Sequence, residues 1–177
     1  MNATAWLISG VPGAGKSTVA RALCLRYPRA AHVPVDRIRH FVVAGHARGT
    51  DPWTPETVLQ FALAHGAAAD LASRYVAAGI SVVIEGVLDE PMLAQYDELR
   101  ALHPRKVFLA PDLAVALERN RTRPGKEVDV ARLDDSSRRL HPRLLGENTV
   151  EAGWFVIDTG ALTVEQSVDA IVTRYGL

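Results

Sequence analysis

The stretch GVPGAGKST, near the start of the chain, contains three glycines, a lysine and a serine. Four residues separate Gly10 from Gly15, and Lys16 and Ser17 follow directly, which is the Walker A spacing. Glycines let successive backbone N–H groups point into one cavity, where they bind phosphate oxygens. We predict that the loop binds a nucleoside triphosphate, with Lys16 on the β- and γ-phosphates and the Ser17 hydroxyl on Mg²⁺. The residues predicted to bind the nucleotide are Gly10, Val11, Pro12, Gly13, Ala14, Gly15, Lys16, Ser17 and Thr18.

A second candidate group lies in the stretch VPVDRIRH, where Asp36 follows an apolar run. We expect Asp36 at the carboxyl edge of a sheet, the edge at which open α/β folds bind their ligands. A carboxylate there can accept the proton of an attacking hydroxyl. Arg39 would share a helix face with Asp36 and could bind an anionic or polar group of an acceptor. Alternatively, Asp36 is a helix N-cap and the arginines beside it are solvated.

Glu85 directly follows the apolar run SVVI. An acidic residue that ends a strand beside a phosphate-binding loop is the Walker B arrangement. We predict that Glu85 holds Mg²⁺ through water or orients the acceptor. Alternatively, its charge only marks the end of the strand.

A basic cluster occupies the stretch ERNRTRPGKEVD, with Arg119, Arg121 and Arg123 before a Pro-Gly break and Lys126 after it. Cationic side chains on a mobile segment can close over phosphates and neutralise the charge that develops during transfer. We predict that two of the arginines act in this way. The alternative is a solvated helix end, where cations are favoured in any case.

Two further segments are predicted to flank the site. The loop Ala44–Pro55 is rich in glycine and proline, and its Trp53 could offer a stacking surface to an acceptor. An ordinary surface loop with a packed tryptophan is the alternative. The stretch DTGALT, which begins at Asp158, could flank the nucleotide base. The six histidines show no metal-ligand spacing, so we infer no transition-metal site.

Composition limits the class of protein. The 177 residues fit one domain, or one domain with a small lid. Twenty basic and twenty acidic side chains cancel, so no global positive field attracts nucleic acid or a membrane. The single cysteine, Cys24, cannot form an intrachain disulfide, and no apolar run approaches a membrane span. We expect a soluble cytoplasmic protein.

Apolar runs alternate with helical patterns, which predicts an α/β fold with a parallel sheet covered on both faces. The predicted strands are Ala5–Gly10, Ala30–Val35, Ile80–Gly86, Lys106–Ala110 and Trp154–Asp158. The predicted helices run from Lys16 to about Tyr27, from an N-cap at Thr54 to a stop at Gly79, and over Glu90–Leu102, Leu113–Arg121, Val130–Leu144 and Val164–Tyr175.

The chain resembles the P-loop kinases of the nucleoside-monophosphate-kinase-like class, which include gluconate and shikimate kinases, chloramphenicol phosphotransferase, zeta toxins and polynucleotide kinase. VPVD resembles the strand end of chloramphenicol phosphotransferase, whose aspartate is the catalytic base. DRIR and ERNRTR resemble the Asp-x-x-Arg and lid motifs of polynucleotide kinase. The resemblance assigns Asp36 as base, Arg39 to an acceptor phosphate, and Arg119 and Arg123 to the lid. It implies a P-loop NTPase fold, a three-layer α/β/α arrangement with a five-stranded parallel sheet in order 2-3-1-4-5. It also implies a single domain over residues 1–177 with a small helical lid near residues 119–143.

The function implied is an ATP- and Mg²⁺-dependent kinase with an alcohol acceptor. Its catalytic residues would be Lys16, Asp36, Arg119 and Arg123, with Ser17 and Glu85 at the metal, and Arg39, Trp53 and Glu85 at the acceptor. The acceptor is expected to be a sugar acid, a nucleoside-like metabolite or an antibiotic. Two alternatives stay open: a polynucleotide 5′-hydroxyl kinase, which the neutral charge disfavours, and a nucleotide-dependent switch that binds a protein partner. The sequence does not give the oligomeric state.

Overall fold

The computed structural model describes residues 3–49, 52–122 and 129–176. Five parallel strands form one sheet in the order β2-β3-β1-β4-β5, with helices packed against it, so the predicted fold and strand order are confirmed. The strands are β1 Ala5–Ser9, β2 Ala30–Pro34, β3 Ser81–Glu85, β4 Arg105–Leu109 and β5 Trp154–Ile157. The α-helices are α1 Lys16–Cys24, α2 Val35–Arg39, α3 Pro55–Ala77, α4 Glu90–Leu93, α5 Leu113–Thr122, α6 Val130–Glu147 and α7 Val164–Tyr175.

The two central strands position the phosphate-binding end of the sheet. Every residue of β1 and β3 is buried, as expected for continuous apolar strands covered on both faces. Their register pairs Ile8 with Glu85. The loop that follows β1 and the carboxylate that ends β3 therefore emerge side by side at the carboxyl edge.

Helix α3 begins and ends where its sequence predicts. The Thr54 hydroxyl accepts a hydrogen bond from the backbone N–H of Thr57, and Pro55 occupies the first turn. After the last turn, Gly79 adopts a left-handed φ of 76°, which stops the helix. The aromatic and polar side chains of α3 that face the site are thereby fixed along a long helix.

Most elements differ from their predicted bounds by one to three residues, and one predicted helix is divided. Helix α1 ends at Cys24 rather than near Tyr27, because Pro28 has no backbone N–H to donate to the Cys24 carbonyl oxygen and continue the helix. The helix predicted over Glu90–Leu102 is split into α4 and a 3-10 helix over Ala94–Leu102. In that segment Leu93, Tyr96, Leu99 and Leu102 recur every third residue, which suits three residues per turn.

Val35, predicted as the end of β2, instead begins α2. Asp36 and Arg39 therefore lie on a short helix at the carboxyl edge of the sheet. Within the described residues, we find no helix with the length and apolar character needed to cross a bilayer.

Candidate active site

The loop Gly10–Thr18, called the phosphate loop below, folds around its own lysine. Lys16 opens α1, and its ammonium donates to the carbonyl oxygens of Gly10 at 2.8 Å and Val11 at 3.1 Å. The Thr159 hydroxyl, after β5, donates to the Ala14 carbonyl oxygen at 3.2 Å. The lysine charge is thus held at the loop by local contacts, where a polyphosphate would need it.

Gly13 has two reasons to be glycine. Its φ is +86°, and a Cβ placed on it would lie 2.1 Å from the Ala116 carbonyl oxygen. The phosphate loop therefore packs directly against α5. The Asn120 amide completes this contact by donating to the Pro12 carbonyl oxygen and to the Ser137 hydroxyl, each at 3.3 Å. Sequence reasoning missed Asn120, because its partner lies 108 residues away.

Ser17 and Glu85 form the oxygen pair that the sequence predicted for a cation. The Ser17 hydroxyl donates to Glu85 Oε1 at 2.7 Å, and His32 Nε2 lies 3.7 Å from the same oxygen. Burial by itself raises the pKa of Glu85, but nearby His32, the Lys16 charge and the Ser17 hydrogen bond outweigh it and lower the pKa. A buried, ionised carboxylate beside a hydroxyl is a donor set that suits Mg²⁺.

Arg39 is buried and holds Asp36 while leaving the carboxylate accessible. The Arg39 side chain is 8% exposed and that of Asp36 is 72% exposed, and Nη1 donates to Asp36 Oδ1 at 3.1 Å. Arg39 Nη2 donates to the Ala47 carbonyl oxygen at 2.9 Å. Burial lowers the pKa of Arg39, and the neighbouring Asp36 charge opposes this change. Arg39 is therefore a fixed support, and Asp36 is the group that faces outward.

Phe61 packs on Arg39 and Trp53 packs on Phe61; these three stacked side chains are called the aromatic column below. The guanidinium carbon lies 3.7 Å from the ring centroid of Phe61, and the rings of Phe61 and Trp53 are 4.7 Å apart. The Trp53 indole N–H donates to the Gly49 carbonyl oxygen. A Cβ on Gly49 would lie 2.7 Å from the Phe61 ring, so only glycine lets the loop pass this close. The predicted stacking residue is thereby anchored, and it remains 45% exposed.

A cavity of about 890 Å³, called the large cavity below, brings several predicted residues together. Asp36, Arg39 and Trp53 line it, and Pro12 of the phosphate loop reaches its edge. Helix α6 supplies another wall with residues 132, 133, 136, 139, 140 and 143. Their helical spacing shows that one face of α6 borders the cavity. Sequence reasoning placed α6 in a lid but did not predict this wall.

Behind the large cavity lies a buried pair that the sequence did not indicate. His65 Nδ1 and the Tyr96 hydroxyl are 2.6 Å apart, and both residues are buried. Burial lowers the pKa of His65 to about 4, with the nearby Asp36 charge opposing the shift and Arg39 adding to it. Burial likewise raises the pKa of Tyr96. The neutral imidazole of His65 therefore supports the part of α3 that lies beside the large cavity.

The predicted lid residues separate into different roles. Arg119 donates to the Thr159 carbonyl oxygen at 2.8 Å, which ties α5 to the loop after β5. Arg121 pairs with Asp134 of α6 at 3.1 Å. Arg123 and Lys126 lie outside the described residues. Of the cationic group, Arg119 is the described member that reaches the neighbourhood of the phosphate loop, because Thr159 also contacts Ala14.

Within residues 3–49, 52–122 and 129–176, no cluster of three or more His, Cys, Asp or Glu side chains could hold a metal ion. The Ser17–Glu85 pair supplies two protein oxygens. Mg²⁺ commonly takes one or two protein ligands and completes its shell with substrate phosphates and water. The pair therefore fits a metal that arrives with a nucleotide.

A family model described as an AAA domain matches residues 6–143, which is most of the chain. The chain belongs to this family. A search of curated proteins gives no match. Solved structures with the same fold include a sugar kinase from Janibacter, with 18% identity, a TM-score of 0.73, and coverage of 98% of this chain and 95% of that one.

Two further solved structures have the same fold. A shikimate kinase from Acinetobacter baumannii has 19% identity and a TM-score of 0.67, covering 98% of this chain and 93% of the other. A tunicamycin resistance protein from Deinococcus radiodurans has 22% identity and a TM-score of 0.64, covering 99% and 96%. The resemblance to the P-loop kinases of the nucleoside-monophosphate-kinase-like class is confirmed at the level of the fold.

Proposed function

We propose that this chain is an ATP- and Mg²⁺-dependent kinase that transfers the γ-phosphoryl group to a hydroxyl of a small molecule. One observation carries the proposal: the accessible Asp36 carboxylate, held by buried Arg39, lines a large cavity that also reaches Pro12 of the phosphate loop. Donor and acceptor sites therefore adjoin. The fold shared with proteins described as sugar and shikimate kinases supports the same reaction class.

The phosphate loop would bind the nucleotide. Its backbone N–H groups and the Lys16 ammonium would bind the β- and γ-phosphates, and the N-terminus of α1 would add a positive dipole. Ser17 and Glu85 would hold Mg²⁺, which when bound neutralises charge on the phosphate oxygens. The ionised state of Glu85, favoured by its lowered pKa, suits this task.

Asp36 would act as general base. Its carboxylate accepts the proton of the acceptor hydroxyl while that oxygen forms a bond to the γ-phosphorus. The bond from this phosphorus to the bridging oxygen breaks, and ADP leaves with the electron pair. Arg39 orients the carboxylate through its 3.1 Å contact. Arg119 and Arg123 would add positive charge near the transferred group.

We further propose that residues 1–177 form one domain in which residues 119–143 act as a lid. The α5 and α6 helices contact each other, and α6 borders the large cavity. Movement of this pair would open and cover the acceptor. A small acceptor is favoured over a polynucleotide because the chain has no net charge to attract a polyanion.

The test is label transfer from γ-labelled ATP to a panel of sugar acids, nucleosides, hydroxyl-bearing antibiotics and a 5′-hydroxyl oligonucleotide. Lys16→Ala serves as the inactive control. Label on a small acceptor, lost in the control, would support the proposal. Label on the oligonucleotide alone would contradict a small acceptor. Label on nothing, from protein shown to bind ATP, would contradict kinase activity and favour a nucleotide-dependent switch.

A further inference from the structure

The size of the large cavity limits what it accepts. Its volume of about 890 Å³ lies toward the upper end of the roughly 300–1,000 Å³ usual for sites of drug-sized ligands. Apolar side chains from several elements line part of it, including Val87, Met92, Leu133 and Leu140. An acceptor with a ring system would fill this space better than a short polyol.

The aromatic column gives one surface of the cavity a flat shape. Phe61 is covered on one side by Arg39, at 3.7 Å, and packs against Trp53, at a centroid distance of 4.7 Å. Phe61 is buried, whereas Trp53 keeps 45% of its surface exposed. A planar ring in the acceptor would stack on such a surface, because aromatic faces attract other flat rings.

The charges that line the large cavity do not cancel. Five arginines and three aspartates border it. Each aspartate pairs with one arginine: Asp36 with Arg39, Asp89 with Arg143, and Asp129 with Arg132. Arg48 and Arg139 are the two arginines that remain. Counting only the side chains that line the large cavity, arginines exceed aspartates by two, in a chain whose net charge is zero. Arg143 also contacts Glu147, which does not line the cavity.

The two remaining arginines are available to a ligand. No acidic side chain pairs with Arg48 in the part of the chain that the structure describes. Arg139 contacts Asp135 at 2.9 Å, but the side chains are 59% and 63% exposed, and surface pairs of this kind contribute little. Arg39, which the sequence suggested for an acceptor anion, is already bound by Asp36, Ala47 and Phe61.

We propose that the phosphoryl acceptor carries a planar ring and an anionic group, a carboxylate or a phosphate, and that Arg48 and Arg139 bind this anion. The inference deepens the proposed function and rests on it, because it takes the large cavity as the acceptor site. In this arrangement Trp53 holds the ring, Asp36 receives the hydroxyl proton, and the two arginines set charge specificity.

The first test uses iodide as an anionic probe of the cavity. Trp6 and Trp154 are buried, so Trp53 supplies the quencher-accessible fluorescence of this chain. At constant ionic strength, and with each quenching constant divided by that for free N-acetyltryptophanamide, we expect iodide to quench Trp53 about two- to threefold more steeply than caesium does. A local potential near half a kT produces a factor of about this size, because it enriches iodide and depletes caesium at the same time. Trp53→Phe should remove the accessible signal.

Single variants show which arginine is responsible for the stronger quenching by iodide. Arg48→Gln and Arg139→Gln should each reduce the excess of iodide over caesium quenching. Arg138→Gln is the matched control, since Arg138 is an exposed neighbour on α6 that does not line the cavity. Equal normalised quenching constants for iodide and caesium in the unmodified protein would overturn the inference, as would an equal loss in the Arg138 variant.

The second test measures binding by calorimetry with three probes that share a ring and a hydroxyl: a hydroxymethyl-naphthoate, the matching phosphonate and the neutral naphthamide. We expect the better charged probe to bind at least about tenfold more tightly than the amide; tenfold corresponds to about 1.4 kcal/mol, near the lower end of what a hydrogen bond to a charged group contributes. The preferred probe distinguishes carboxylate from phosphate. The advantage should fall in the double variant Arg48→Gln/Arg139→Gln.

The two proposals can fail separately. If neither charged probe binds more tightly than the amide, the inference is overturned, and label transfer to a neutral acceptor would leave the kinase intact. If the charged probes bind tightly but no acceptor is ever labelled, the proposed function fails while the anion site stands.

Discussion

The groups predicted to bind phosphate all come from the short stretch Gly10–Thr18, whereas the large cavity takes its walls from distant parts of the chain. Lys16 bonds to carbonyls five and six residues away. The cavity instead combines α2 and the loop after it with α3, α4 and α6. A short motif can therefore specify how phosphate is bound, but acceptor selection depends on how separate elements pack.

The two regions also differ in which of their side chains already have bonding partners within the protein. In the phosphate loop, Lys16 bonds to the carbonyl oxygen of Gly10, and Ser17 bonds to Glu85. In the cavity, both terminal nitrogens of Arg39 are hydrogen-bonded, to Asp36 and Ala47, while Asp36 stays accessible. The distinction separates residues that build a site from those that act in it, and the following substitutions test it.

The largest effect is expected for Asp36→Asn. Losing a positioned base should lower phosphoryl transfer by about 10²–10⁴-fold, while ATP binding is retained because the phosphate loop is untouched. Single-turnover transfer and nucleotide titration measure the two quantities. Asp70→Asn, an exposed carboxylate on α3 away from the cavity, is the matched control. Turnover of the Asp36 variant within a few-fold of the original would show that Asp36 is not the base.

Gly13→Ala should damage the loop itself. The added Cβ meets the Ala116 carbonyl oxygen, and the left-handed φ adds strain, so we expect about 3 kcal/mol of lost stability together with weaker nucleotide binding. Urea unfolding measures the free energy. Gly146→Ala in α6, where a Cβ meets open space, should instead be neutral or slightly stabilising. Similar unfolding curves for both variants would refute the tight contact with α5.

Lowering the pH tests the buried His65–Tyr96 pair behind the cavity. His65 has a folded pKa of about 4, against an ordinary value of 6.5. Between these values the unfolded chain takes up a proton that the folded protein does not, so stability falls as pH drops through this window. From pH 7 to pH 5 the loss attributable to His65 is about 2 kcal/mol. His65→Gln, which can still accept from Tyr96, should remove that part of the pH dependence, and an unchanged slope would contradict the assignment.

The smallest effect is expected for Trp53→Ala. Removing a stacking surface worth about 0.5–1.5 kcal/mol should raise the KM for the acceptor roughly two- to tenfold, with kcat little changed. Trp53→Phe should retain most of the affinity. Steady-state kinetics with the acceptor found by label transfer measure both constants. A fall in kcat with constant KM would place Trp53 among the reacting groups instead.

Much of this arrangement could be predicted from local sequence. The Walker A spacing predicted a loop between β1 and α1, and Thr54, Pro55 and Gly79 predicted the bounds of α3. Asp36 was expected at the sheet edge because it follows an apolar strand. These signals succeed because capping, glycine conformation and strand termination depend on residues close together in the chain.

Other features depended on contacts that no local pattern encodes. The bond from Asn120 to the phosphate loop, the His65–Tyr96 pair and the α6 wall all join residues from separate elements. A histidine in an apolar helix gives no sign of its partner before the helix is packed.

By itself, the sequence determined the α/β class and the position of the phosphate loop between β1 and α1. The tertiary structure decided which arginines are bound to other side chains and which remain available to a ligand. Arg39 and Arg48 are the same residue type in one segment, yet Arg39 is buried against Asp36 and Phe61 whereas Arg48 is exposed. Burial and pairing depend on which side chains other elements place beside an arginine. A guanidinium can be buried only where such partners replace the hydrogen bonds that it makes to water.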